Sequence, residues 1–262
     1  MKIDVQGRST YVYTAGRAID PALPAVVFIH GGEQDHSTWA LQSRYFAYHG
    51  RNVLVPDLPG HGRSTGPALG SVVQLADWIA CMLDATGIDK TGVAGHSMGS
   101  LIALEFTARQ PSRVTQLALL GTAAPMPVAA PLLDAAHVND HAALDMINVW
   151  SHSGRAQLGG NTAPGMWMPG TNMRLMERQA RDVLYTDFKA CNDYTGGADA
   201  AMRVKCPVLI IAGSRDQMTP PRAMHELGQQ MPHAQCILLD GAGHALMAEQ
   251  PDAVLDALIS FL

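Results

Sequence analysis

The sequence predicts an α/β domain: a mostly parallel central sheet, flanked by helices on both faces and interrupted once by a helical insertion. Three observations carry this. Short β-branched apolar runs alternate with stretches of helical spacing, the alternation lapses between residues 125 and 199, and it then resumes to the end of the chain. The 262 residues suit one large domain with an insertion, and 47% hydrophobic with 16% charged residues is too apolar for a disordered chain.

The elements follow in order. Lys2–Gln6 and Thr10–Thr14 read as a hairpin turning at Gly7. Ala25–His30 is a continuous apolar strand, Ser37–His49 a helix ending at Gly50, and Asn52–Pro56 a second short strand. Val72–Thr86 is an amphipathic helix stopped by Gly87. Thr91–Gly95 is a strand, Met98–Gln110 a helix ended before Pro111, and Val114–Leu120 a strand. From about Pro125 to Asp199 no strong strand is visible. The stretch is rich in Met, carries Trp150 and Trp167, and has a Gly- and Pro-rich centre at Gly159–Gly170. An unstructured loop of that length does not suit a compact domain, so it reads as a helical lid. The expected division is a core of 1–124 and 200–262 with a lid of 125–199. After the lid come a strand at Pro207–Ala212, a helix at Pro221–Gln230, a strand at Cys236–Asp240 and a closing helix at Pro251–Leu262.

A net charge of −5 weighs against nucleic acid, and no apolar run is long enough to span a membrane. No secretory signal pattern is visible at the start, and Cys81, Cys191, Cys206 and Cys236 lack a CxxC spacing. The expectation is a cytoplasmic protein with reduced thiols and no cofactor. A small ester-type molecule is its expected partner, and assembly into a homo-oligomer is left open.

Gly95-His96-Ser97-Met98-Gly99 fits G-x-S-x-G at a strand-to-helix turn. Glycines at both ends relieve crowding there, and the serine hydroxyl stands beside a helix N-terminus, which favours developing negative charge. The chain here resembles the α/β-hydrolase fold enzymes, and the resemblance covers nearly its whole length, most weakly in the lid. Phe28-Ile29-His30-Gly31-Gly32-Glu33 resembles the loop that supplies half of that family's oxyanion hole. The resemblance implies the backbone N–H groups of Gly32 and Met98 as donors, with Glu33 in place of Gly32 if the loop is shifted by one residue. It also implies a triad in the order Ser97, Asp216, His244, with Asp240 as the rival acid. His30 is read as a loop brace, and so are Asp57, Arg63 and Ser64 of Asp57-Leu58-Pro59-Gly60-His61-Gly62-Arg63-Ser64.

The implied activity is hydrolysis of a carboxylic ester, lactone or thioester of a small apolar substrate through an acyl-enzyme. The alternatives are hydrolysis of a carbon–carbon bond in ring-cleavage products and a non-catalytic ligand-binding role. Relatives with the carbon–carbon activity commonly carry tryptophan just after the catalytic histidine, where this chain has Ala245. Trp150, Trp167 and Met168 are the expected substrate contacts. His137 and His141, four apart, could share a helix face as metal ligands do, but no HExxH glutamate accompanies them and no metal is expected. Arg174, Arg178 and Arg181 read as a solvated helix face.

Overall fold

The computed structural model describes residues 1–160, 162 and 165–262. Part of the Gly- and Pro-rich centre of the expected lid therefore lies outside the described residues. Among the described residues one eight-stranded sheet runs in the order β1-β2-β4-β3-β5-β6-β7-β8. The antiparallel edge is β1 (Lys2–Val5) and β2 (Arg8–Tyr13), and β2 pairs antiparallel with β4 (Asn52–Pro56). The parallel part continues through β3 (Ala25–Ile29), β5 (Thr91–His96), β6 (Val114–Leu120), β7 (Val208–Gly213) and β8 (Ala234–Leu239).

Strands β3, β4, β5 and β7 are buried along their whole length. That is why β3, β4 and β7 read as largely unbroken apolar runs rather than alternating ones. Strand β8 lies at the other edge and is partly exposed. It begins at Ala234, two residues before the expected start, because an edge strand lacks the unbroken apolar signal of a central one.

Two apolar layers cover the sheet. One is built on α2 (Val72–Thr86) and α3 (Met98–Arg109), with Trp78, Ile79, Leu101 and Phe106 buried against it. The other face packs Phe28, Trp39 and Phe46 with Leu246 and Leu258, from α1 (Ala40–Tyr48) and the C-terminal helices. A 3-10 turn at His36–Trp39 leads into α1, so the expected helix at Ser37–His49 is a composite. Helix α2 starts where the Ser71 hydroxyl accepts from Gln74 N–H and stops where Gly87 turns left-handed, at φ 71°.

Between β6 and β7 lie α4 (Ala130–His137), α5 (Ala142–Ser151), α6 (Gly154–Gln157), α7 (Met168–Met176), α8 (Val183–Asp193) and α9 (Gly197–Arg203). Leu132, Ala143, Ile147, Met176, Leu184 and Phe188 give this segment a small apolar cluster of its own. Helix α9 packs on α3, and its Ala200 and Ala201 join the core cluster. Cys191 and Tyr194, ahead of the boundary expected at 200, already belong to that cluster. The chain ends with α10 (Pro221–Gln230), α11 (Leu246–Glu249) and α12 (Pro251–Phe261). Among the described residues no helix is long and apolar enough to cross a membrane.

Candidate active site

Ser97 sits between β5 and α3 with φ 54° and ψ −122°, a strained conformation for a residue with a side chain. The two flanking glycines explain how the chain passes through it. A β-carbon on Gly95 would lie 2.1 Å from the Gly99 carbonyl oxygen, and one on Gly99 would lie 2.3 Å from that of Ile29. The turn is pinned by Ser97 N–H donating to Leu120 O and by the Ser100 hydroxyl donating to Ser97 O.

Asp216 and His244 are brought together on the loops that follow β7 and β8. His244 Nδ1 lies 2.7 Å from Asp216 Oδ2. Thr219 supports the same carboxylate through its hydroxyl, and the N–H groups of Met218 and Thr219 donate to Oδ1. Burial alone would raise the carboxyl pKa of Asp216. The charge and hydrogen bond of His244, with the Thr219 donors, outweigh it and hold the group below its ordinary value. Among the described residues both ring contacts of His244, to Asp216 and Thr219, use Nδ1. Its Nε2 makes no hydrogen bond to Ser97 here and is the nitrogen free to face a ligand. Asp240, the rival acid, is exposed and accepts from the Ser214 hydroxyl instead.

His96 packs its ring 4.7 Å from that of His244 and contacts the His244 carbonyl through Nε2. Burial, then the nearby His244, depress its pKa to about 3, so it is neutral at physiological pH. Gly31 adjoins the nucleophile: a β-carbon there would be 3.2 Å from Ser97 Cβ. Among the described residues neither Gly32 N–H nor Met98 N–H donates to another protein group. Glu33 N–H does donate, to Asp187 Oδ2 at 2.9 Å. His30 braces the loop as expected: its Nδ1 contacts Gly31 O and its Nε2 accepts from Leu58 N–H. Asp57 accepts from His36 N–H and Arg63 N–H, and the Ser64 hydroxyl donates to Asp57 O.

The three expected substrate contacts separate. Trp150 lines a cavity of about 120 Å³ with Ser97, Met98, Met126, Leu132 and Phe188. Trp167 and Met168 line a different, mostly apolar cavity of about 710 Å³ that reaches His96 and Gln34 but not Ser97. Trp167 is 70% exposed. His137 ends α4 and His141 precedes α5, so they share no helix face; His141 pairs with Asp145 and Glu177. The metal-like trio found among the described residues is Asp35, His36 and Asp57. Its carboxylates are occupied by Ser37 N–H, His36 and Arg63 N–H. Helix α7 ends at Met176, so Arg178 and Arg181 do not continue a helix face with Arg174.

Two buried carboxylates that join the site to the inserted helices were not foreseen. Asp187, on α8, accepts from Glu33 N–H and holds His61 Nε2 at 2.8 Å. Glu249 accepts from Gly243 N–H, beside His244, and from Ser153 N–H and hydroxyl after α5. The neighbouring Ala245 N–H donates to Ser151 O. No local sequence pattern marks either acid.

A family model described as alpha/beta hydrolase fold matches residues 24–251. A hydrolase of (E)-2-((N-methylformamido)methylene)succinate from Acinetobacter baylyi is 25% identical, over 90% of this chain and 89% of that protein. A pimeloyl-[acyl-carrier protein] methyl ester esterase from Aromatoleum aromaticum is 28% identical, over 87% of this chain and 94% of its own. Among solved structures, the enol-lactonase from Burkholderia xenovorans superposes with a TM-score of 0.87 at 23% identity, covering 100% of this chain and 99% of the other.

Proposed function

The chain belongs to the alpha/beta hydrolase fold family, and from that premise we propose that it is a serine hydrolase cleaving a carboxylic ester, lactone or thioester of a small, largely apolar substrate. The observation that carries this reading is the strained Ser97 turn set beside a buried Asp216–His244 pair whose Nε2 is free. His244 Nε2 takes the Ser97 proton as Oγ attacks the carbonyl carbon. Asp216 fixes the His244 tautomer with the proton on Nδ1 and stabilises the imidazolium. The unbonded N–H groups of Gly32 and Met98 receive the developing oxyanion. The imidazolium protonates the leaving oxygen or sulfur, leaving an acyl-Ser97. Water then gives a proton to His244 and its hydroxyl to the acyl carbon, and as the bond to Ser97 Oγ breaks the imidazolium returns that proton to the serine, so the acid departs and the enzyme is restored.

One arm of the substrate fills the cavity lined by Trp150, Met126, Leu132 and Phe188. Its small volume favours a short apolar group. Residues 125–199 act as the lid over this cavity. Four free thiols accord with a reducing compartment, the cytoplasm.

The test is a serine-reactive fluorophosphonate together with turnover of short p-nitrophenyl esters. Wild type is expected to be labelled at Ser97 and to turn over. Ser97→Ala is expected to lose both, with kcat down by about 10⁴-fold or more. A Ser97→Ala variant with wild-type turnover would end the reading.

A further inference from the structure

We propose that Asp187 of α8 is a positioning residue for the oxyanion loop, holding the Glu33 peptide so that the N–H of Gly32 stays aimed at the carbonyl bound to Ser97. This rests on the reading of Gly32 as an oxyanion donor. The loop is gripped on both sides of that donor. On one side Gly31 N–H donates to Gln34 Oε1 at 3.2 Å, and on the other Glu33 N–H donates to Asp187 Oδ2 at 2.9 Å. Because each peptide is a rigid plane, fixing the Glu33 N–H also fixes the Gly32 carbonyl and leaves little freedom to the peptide between the two grips.

Glu33 needs such a partner. It has φ 56°, in the left-handed region that costs energy for a residue with a side chain. Helix α8 also packs directly on the loop: a β-carbon on Gly32 would lie 3.2 Å from the Phe188 ring and 3.3 Å from Asp187 Cβ.

The acceptor carboxylate is shared with a buried imidazole. The side chains of Asp187 and His61 are each 1% exposed. Burial disfavours the His61 imidazolium, but the charge of Asp187 and its hydrogen bond prevail and raise the pKa to about 9. His61 Nδ1 faces Pro59 O, so both ring nitrogens donate. For Glu33, burial and then the charge of Asp187 push the carboxyl up to about 8, leaving it mostly neutral at physiological pH. A carboxylate acceptor makes a shorter, stronger hydrogen bond to an N–H than a neutral one does.

The experiment compares wild type, Asp187→Asn and the double variant Asp187→Leu/His61→Leu, in ester turnover and in the rate of fluorophosphonate labelling. The double variant removes the acceptor without leaving a buried unpaired charge. It is expected to melt cooperatively, to lose about tenfold to a hundredfold in kcat with KM within about threefold, and to be labelled more slowly in proportion. Asn retains an acceptor oxygen and is expected to restore most of kcat. If the double variant does not fold, Asp187→Ala/His61→Gln replaces it and is read in the same way. A folded double variant with wild-type kcat, a loss confined to KM, or an Asn variant as impaired as the double overturns the proposal. Wild type and Ser97→Ala run alongside. An inactive wild type or an active Ser97→Ala overturns the serine-hydrolase reading and this proposal with it, whereas normal controls beside unaffected Asp187 variants overturn this proposal alone.

Discussion

Ser97 and its two partner loops are held by different means. The nucleophile turn is fixed inside the core by backbone against backbone, with Gly95 and Gly99 admitting contacts that no side chain could share. The loops carrying Gly32 and His244 are instead each tied to the inserted helices through one buried carboxylate, Asp187 on one side and Glu249 on the other. The nucleophile's geometry is therefore intrinsic to the sheet and α3. The geometry of its partners is shared with residues outside the core. The two ties also differ in kind. Asp187 faces the imidazolium of His61, while Glu249 receives its hydrogen bonds from N–H and hydroxyl donors.

The sharpest way to break this contrast is Gly99→Ala. Its β-carbon would meet the backbone oxygens of Ile29 and His30 at 2.3 and 2.5 Å, which only movement of β3 relative to α3 can relieve. We expect a loss of about 3 kcal/mol or more, read as a collapse of soluble yield or of the urea midpoint. A variant with wild-type stability and activity would show that the turn is not fixed by the core. Glu249→Ala should have the next largest effect. It leaves Gly243 N–H and both Ser153 donors unmet in a buried place, costing about 2–3 kcal/mol, and it frees the His244 loop enough to lower kcat about tenfold. Glu249→Gln, which keeps an acceptor, should lose clearly less. Equal losses in the two variants would mean that charge, not hydrogen bonding, is what Glu249 supplies.

The smallest effect distinguishes the two ties by pH. The Glu33 carboxyl is raised from 4.5 to about 8, so the folded protein keeps a proton that the unfolded chain releases. Its contribution to stability is fully present below about pH 4.5 and is lost as pH rises through about 8. His61, raised from 6.5 to about 9, acts in the same direction: its contribution is complete below about pH 6.5 and gone above about 9. Stability should fall from neutral pH toward pH 9. Glu33→Gln should flatten that limb by on the order of 1 kcal/mol between pH 6 and 8, measured by melting at fixed ionic strength. A slope identical to wild type would remove Glu33 from the Asp187 group.

What the sequence made legible follows the same division. Strands β3, β4 and β7 could be read because burial on both faces demands unbroken apolar runs, and the nucleophile turn because its two glycines are sterically obligatory. Asp216 and His244 were implied by the resemblance, and the structure sets them 2.7 Å apart on the loops after two strand ends. Asp187 was not. It is one of two acids within α8, and its partners Glu33 and His61 are distant in sequence, so nothing in its neighbourhood marks it. Glu249 was hidden for the same reason. Trp167 and Met168 line a second cavity, apart from Trp150, because a Met- and Trp-rich composition signals an apolar surface without saying which of two cavities it lines. The edge strand β8 was displaced by two residues because exposure dilutes its pattern.

Strands β6 and β7 are neighbours in the sheet although the whole helical segment separates them in the chain. Lengthening such an excursion is cheap: each doubling of a flexible loop adds only about 0.6 kcal/mol of closure entropy. The scaffold thus places little restriction on how long a transplanted segment is, and a chimera carrying a foreign one could close its sheet normally. What it would have to inherit is narrower: an acid at the place of Asp187, and a hydroxyl, N–H and carbonyl at the places of Ser151 and Ser153. A transplant lacking them would close its sheet yet lose both stability and turnover, so success in grafting depends on a few docking atoms rather than on length or overall shape.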